Sequence, residues 1–257
     1  MTSRTDEEVY LVENATLSTC EVRIMTDEER KFSIMQRSMD EILYIASMVA
    51  QHQIPMDVVN TILELAGVLI AFQAETWEFC HGRSNMNEKY LQLKLPKIAE
   101  LKLPPGVDVS ECSLLVVDVA SKDQGWATDR REHNGTYCAS SSWCELVLTS
   151  TNSIGDSEET DRVVIWPNLR AGSTFRHHRK YFDKSTKLLT NIKLGDCASI
   201  VLRSQYPGWT NSAKYGWLAI CFGVKLNDNF LFANIPFPES AARREESANS
   251  SISCCIQ

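Results

Sequence analysis

From Leu91 to Ala233 the chain is a succession of short apolar runs, each closed by turn residues, with no helical-period stretch between them. Leu91, Leu93 and Leu95 alternate with Gln92 and Lys94, and Ser113 to Val119 reads as a buried strand. Further runs cover Ser141 to Leu148, Val163 to Trp166, Ser173 to Lys180, Ala198 to Arg203, Trp217 to Val224 and Phe230 to Ala233. Turn signals separate them: Asn134-Gly135, Gly155-Asp156, Gly195-Asp196 and Pro207-Gly208. Parallel strands need long, usually helical, crossovers, and this stretch has none. The expectation is a mainly β fold, an antiparallel jelly-roll sandwich over residues 88–237.

Upstream the period changes. Phe32, Met35, Met39, Ile42, Ala46 and Val49 recur at steps of three and four, the stripe of an amphipathic helix. Asp27 can cap it, and Glu28 and Glu29 suit its dipole. Pro55 opens a second helix carrying Val58, Val59, Ile62, Leu63, Ala66, Leu69 and Ile70, with Gly67 read as a tolerated weak point. Residues 27–83 are thus expected to form an α-helical hairpin. Residues 1–26, without sustained periodicity, read as an acidic disordered arm, and residues 238–257 read as a flexible tail.

Composition removes several function classes. Among 257 residues, 26 Lys+Arg face 33 Asp+Glu, a formal charge of -7, which is not the footprint of a nucleic-acid binder. The charge is uneven. Residues 1–30 carry a net -5, whereas residues 170–193 carry +6. Within the basic segment Arg176, Arg179, Lys180 and Lys184 are candidates for an anionic surface, beside the plainer reading of a solvated strand face. The apolar run from Ile62 to Phe72 is interrupted by Glu64 and is far shorter than the roughly 20 residues of a membrane span. Nine scattered cysteines and no secretory signal point to reduced thiols. No C-x-x-C pair or His partner at ligand spacing is present, so neither a metal nor a cofactor is expected.

The chain closes Cys254-Cys255-Ile256-Gln257, the C-a-a-X prenylation pattern with a terminal residue that favours farnesyl. Cys255 at its second position departs from a true aliphatic. Lipidation at Cys254, clipping of the last three residues and carboxyl methylation are the expectation, which the intact mass of natively expressed protein reads. One such chain binds membranes only reversibly, so the basic segment is a candidate second signal. The expected location is the cytoplasmic face of a membrane, peripheral and partly cytosolic.

Within the sandwich stand Asp123-Gln124-Gly125-Trp126, Gly135-Thr136-Tyr137, Ser142-Trp143, Asn168-Leu169-Arg170-Ala171, Gly195-Asp196 and Tyr206-Pro207-Gly208-Trp209-Thr210-Asn211. Over residues 113–224 this order is similar to that of a broad group of fungal β-sandwich proteins, with Ala127 where Ser is usual. The segment Pro55 to Ala66 resembles the helix that often precedes the sandwich in that group. The resemblance implies a galactose-binding-like jelly roll and no established activity. Such folds commonly bind ligands on the loops at one end. Asp123, Trp126, Asn168, Arg170, Trp209 and Asn211 are therefore the ligand-binding candidates, with a protein or carbohydrate as the partner. Gly-Trp turns also serve to tuck an indole under a sheet edge, and that reading stays open for Trp126 and Trp209. Trp143, Trp166 and Trp217 are expected in the core.

Two other classes compete with a non-catalytic peripheral membrane adaptor. Pro55 to Ala66 resembles the first helix of an F-box, which would make the chain a ubiquitin-ligase substrate receptor if Ala74 to Cys80 continued in helix. Cys138 or Cys144 with His177 or His178 and an aspartate can be drawn as a hydrolase triad, although no nucleophile elbow surrounds either cysteine. No catalytic residue is assigned, and the absence of a phosphate-loop motif excludes that type of nucleotide hydrolysis.

Overall fold

The computed structural model describes residues 10–14, 21–23, 39–50, 54–151 and 157–230. Asp27, Phe32, Met35, the tail with Cys254, and residues 231–233 of the last expected strand lie outside them. Contacts divide the chain into two units. One comprises Met1–Phe32, Phe72–Leu101 and Cys112–Cys221; the other comprises Ser33–Ala71, Lys102–Glu111 and Phe222–Gln257.

The second unit holds helices α1 (Met39–Ala50) and α2 (Met56–Leu65). On α1 the expected stripe turns Ile42 and Ala46 inward, four residues apart, and both are fully buried. On α2 the Pro55 carbonyl accepts from the N–H groups of Val58 and Val59, both at 3.0 Å, and Val59 and Leu63 are buried. The helix ends earlier than its apolar stripe suggested. Gly67 adopts φ +64°; its N–H donates to Glu64 O, and the Val68 N–H donates to Leu63 O, both at 3.0 Å. This is a Schellman cap, and Leu63 and Val68, the two residues its outer hydrogen bond joins, are both buried. Leu69 and Ile70 therefore leave the helix and open a strand. Nearby, Asn60 completes a backbone edge: its Nδ2 donates to Leu226 O at 2.9 Å and its Oδ1 accepts from Leu226 N–H at 2.7 Å. No described helix is long and apolar enough to cross a membrane.

The sheets are mainly antiparallel. The strands are β1 (Tyr10–Asn14), β2 (Glu21–Arg23), β3 (Leu69–Thr76), β4 (Cys80–Arg83), β5 (Met86–Lys94), β6 (Val107–Lys122), β7 (Ser142–Thr151), β8 (Ser157–Pro167), β9 (Arg176–Asp183), β10 (Cys197–Ser204) and β11 (Thr210–Leu226). Among the described residues one sheet runs β2-β1-β9-β6-β11-β3, with β4 also paired to β11, and the other runs β5-β10-β7-β8. Mainly β with a sandwich-like pair of sheets is thus the observed class, preceded by a short helical segment.

Three expectations change. The helical hairpin does not reach residue 83, because β3 and β4 occupy most of 69–83. The acidic arm is not wholly irregular: β1 pairs in parallel with β9, Tyr10 opposite His177 through Asn14 opposite Tyr181, and β2 folds back antiparallel on β1. The middle of the basic run, Arg176 to Lys180, therefore lies in an interior strand, with β1 along one edge and β6 along the other. Trp143, expected in the core, lies half-buried instead. Its Nε1 donates to Glu145 Oε1 at 2.7 Å and the Arg203 guanidinium lies 5.8 Å from its ring, while Trp166 and Trp217 are buried.

Candidate functional site

The loops that follow β6, β8 and β10 converge at one end of the sandwich-like unit. Their bases are tied by a buried polar network. Asp123 Oδ1 accepts from the Ser142 hydroxyl at 3.0 Å and Oδ2 from the Ala171 N–H at 2.9 Å. Asn168 Nδ2 donates to Ser142 Oγ at 3.1 Å and to Asn211 Oδ1 at 2.9 Å, and Asn168 Oδ1 accepts from Ser121 Oγ at 2.6 Å. Asn211 Nδ2 then reaches the carbonyls of Trp143 and Arg203, at 2.9 and 3.0 Å. Asp123, Asn168 and Asn211 are all essentially inaccessible to solvent. Burial raises the Asp123 pKa, while the N–H groups of Ala171 and Gln124, the Ser142 hydroxyl and Arg170 pull it back down.

Arg170 is the most deeply placed cation of this end. It is 1% exposed and donates to the carbonyls of Ala139 and Asp129, with an ion pair to Asp129 Oδ1 at 3.0 Å. Its guanidinium lies 4.8 Å from the Trp209 ring centroid, so the indole is held beneath it. Five of the six residues expected to face a ligand (Asp123, Asn168, Arg170, Trp209 and Asn211) are therefore buried and engaged with one another or with loop carbonyls. They fix the loops. Only Trp126 of the six is exposed, at 61%. Gln124 braces its turn, donating to Trp126 O at 2.8 Å and accepting from Thr210 N–H at 3.3 Å.

An aromatic tract that the sequence did not single out continues from that turn. Gly125, at φ +90°, packs on Ser173: a Cβ there would sit 3.2 Å from Ser173 Cβ. Lys122 Nζ donates to Ser173 O at 3.2 Å and lies 4.7 Å from the Phe175 ring centroid, with Lys214 Nζ at 5.3 Å from the same ring. Phe79 meets Phe175 edge-on at 6.4 Å and stacks with His81 at 6.4 Å. Phe79 and Trp77 are 66% and 72% exposed because they occupy the break between β3 and β4, which both pair with β11. A groove of about 600 Å³ opens beside them, lined by Phe79, His81, Arg83, Met86 and Tyr90 among others. Lys122 at the end of β6 and the Trp77/Phe79 pair between two apolar runs were the available sequence signals.

The proposed anionic surface comes apart. Successive strand residues point to opposite faces, which separates Arg179 from Arg176 and Lys180. Arg179 is buried, its Nε and Nη2 donating to Asp118 Oδ2 at 2.8 and 2.6 Å, and the second oxygen of Asp118 faces His177 Nδ1 at 3.1 Å. Lys180 reaches to the other sheet, where Nζ donates to Ile165 O at 3.2 Å. Arg176 is half-buried, and Lys184 alone of the four is exposed.

Of the residues drawn as a hydrolase triad, Cys144, His177 and His178 are buried. Cys144 is buried, with its thiol pushed up to about 12 by burial, and its Sγ faces Ser121 Oγ at 3.8 Å. That favours the protonated form, the opposite of an activated nucleophile. His178 is held down to about 3, chiefly by burial, between the Trp166 ring at 5.3 Å and the Tyr137 hydroxyl at 3.2 Å. Cys138 is exposed in the loop after β6, and the six described cysteines are all free.

No protein-family model matches the chain, and no curated protein matches it. Among solved structures, it shares a partial likeness with a chain of the naturally occurring empty particles (top component) of cowpea mosaic virus. The two are 10% identical over 66% of this chain and 83% of that one, with a TM-score of 0.22. A likeness that loose bears on neither the ligand nor the role.

Proposed function

We propose that the chain is a non-catalytic binding module that takes a protein or glycan partner on the aromatic tract at the loop end of its sandwich-like unit. The observation that carries this reading is a division of labour. Trp126 stands exposed on a turn next to buried, hydrogen-bonded Asp123, and Phe79 and Trp77 stand exposed on a strand break that the Tyr90 hydroxyl ties down by donating to Glu78 O at 2.7 Å. A rigid base under exposed aromatics lowers the ordering cost of binding, and Trp and Tyr-type rings are the usual anchors of such surfaces. Lys122 and Lys214 around Phe175 add donors for carboxylates or hydroxyls at the rim. This reading does not rest on the lipidation expected at Cys254.

The test is a screen of the immobilised full chain against a glycan array and a displayed peptide library. Trp126→Ala with Phe79→Ala should weaken any ligand found at least tenfold while leaving the unfolding midpoint in place. A ligand whose affinity ignores both substitutions would remove the tract from the interface. The F-box alternative is less well served, since Leu69–Thr76 is strand where that motif needs helix. A hydrolase built on Cys144 would need an ionised thiol, which burial disfavours there.

A further inference from the structure

We infer that the edge of β9 is a strand-acceptor site for an acidic extended segment of a partner protein, and that β1 fills this site in cis. β9 is paired antiparallel with β6 along one edge, from Ser121 opposite Arg176 to Leu114 opposite Asp183. Its other edge is taken by a five-residue strand in parallel register, which is itself backed only by the three pairs of β2. Parallel pairing is slightly weaker per residue than antiparallel, and five residues form a short ladder. An edge so covered can be uncovered, exposing a row of backbone donors and acceptors that templates another strand.

Charge states which strand fits. β9 reads Arg176-His177-His178-Arg179-Lys180. Arg179 is neutralised by Asp118 and Lys180 is tied to a carbonyl, whereas the buried Arg176 Nε has no hydrogen-bond partner among the described residues. Arg176 lies at the end of β9 where β1 begins, next to the Tyr10–His177 pair. The sequence ahead of Tyr10 is Asp6-Glu7-Glu8-Val9, and Glu13 stands in register with Lys180. A partner strand of the same type, acids followed by a short apolar run, would match the same edge. It enters by displacing β1, so its apparent affinity is reduced by the fraction of time β1 is seated.

This inference does not rest on the loop-end reading. Its test uses a fluorescent peptide with the sequence of residues 6–14 and the full chain, unaltered or carrying Val12→Pro. Proline removes the N–H of a residue paired on both edges, opposite Arg179 and Glu21, so it loosens β1 without touching β9. Val12→Pro should bind the peptide at least tenfold tighter than the unaltered chain. A peptide with its glutamates changed to lysine should bind at least tenfold weaker. Equal binding to both chains, or none to either, overturns the inference. Should Val12→Pro fail to fold, hydrogen exchange on the unaltered chain decides: β1 amides losing protection as peptide is added supports it, and unchanged protection at saturating peptide overturns it. Dimers formed by exchanging β1 between copies would assign the edge to a second copy instead, and so overturn it too. Trp126→Ala should leave all these readouts unmoved, which separates this site from the loop-end tract.

Discussion

Two Gly-Trp turns in this protein start from the same local geometry and end in opposite places. Gly125 and Gly208 adopt φ +90° and +86°, in the left-handed region that favours glycine. Yet the indole of Trp209 is 9% exposed beneath Arg170, and that of Trp126 is 61% exposed. The turn sets where a side chain departs, and the neighbouring loop decides where it goes. After β10 a buried guanidinium gives the indole a charged lid, while after β6 the turn is braced through Gln124 and the ring is left to solvent. One aromatic therefore belongs to the scaffold and the other to the surface the scaffold presents.

That contrast can be broken most forcefully at Trp209. Trp209→Ala should cost about 3–5 kcal/mol in urea unfolding, as large-to-small changes at buried aromatics do. A cost below that of Trp126→Ala would collapse the distinction. Arg170→Met comes next, at about 3 kcal/mol, because it leaves the carbonyls of Ala139 and Asp129 without their donor and uncovers the indole. Arg170→Lys should recover little, since one ammonium cannot reach two carbonyls and also lie flat on a ring.

The buried interior behind these loops has a pH signature. His178 is neutral in the folded state down to about pH 3. In the unfolded chain it gains its proton near its ordinary value of about 6.5. Between those limits the unfolded state binds more protons, so its contribution falls as pH is lowered, by up to about 1.4 kcal/mol per pH unit. His178→Phe should flatten that part of the stability profile, read from urea midpoints at successive pH values. An unaltered slope would show that His178 is open to solvent in the way the exposed side of the molecule is.

Smaller effects sharpen the comparison. Gly125→Ala should destabilise by about 1–2 kcal/mol and Gly208→Ala by about 1 kcal/mol, since both need the left-handed backbone. Only at Gly125 would the new methyl also press on Ser173. Trp126→Ala should change stability by less than about 0.5 kcal/mol, as an exposed side chain does, while abolishing most binding at the loop end. Loss of both stability and binding there would return Trp126 to the scaffold.

Much of the fold was legible in the sequence because alternation and turn chemistry are local. The runs from Ser141, Ala198 and Trp217 became β7, β10 and β11, the first two with ends shifted by at most three residues and the last beginning a full seven residues earlier, at Thr210. Gly67 shows where local reading fails. Leu69 and Ile70 continue a helical stripe equally well, and only the left-handed glycine, followed by Ala71-Phe72, turns them into strand. At the candidate site the residue types were visible and their fates were not. Asp, Asn and Arg bind ligands and staple loops with the same atoms. The deciding partners, Ser121, Ser142 and Ala171, lie 26–48 residues away from the residues they engage through the bonds Ser142–Asn168, Ser121–Asn168 and Ala171–Asp123. The basic segment failed for a related reason: its net charge was read as surface, although Asp118 and Arg179 neutralise each other from 61 positions apart.

The parallel pairing of β1 with β9 also sets a schedule. Tyr10 leaves the ribosome long before His177, its partner, has been made. At about 5–20 residues per second, the first strand waits on the order of 10–30 s before the edge that receives it exists. For that interval only the local partner β2 is at hand, and the other edge of Tyr10-Leu11-Val12 is open in a crowded cell; the carboxylates of Asp6, Glu7, Glu8 and Glu13 in the neighbouring sequence act as gatekeepers against premature association. The acids of this stretch are first of all a means of staying soluble until β9 arrives.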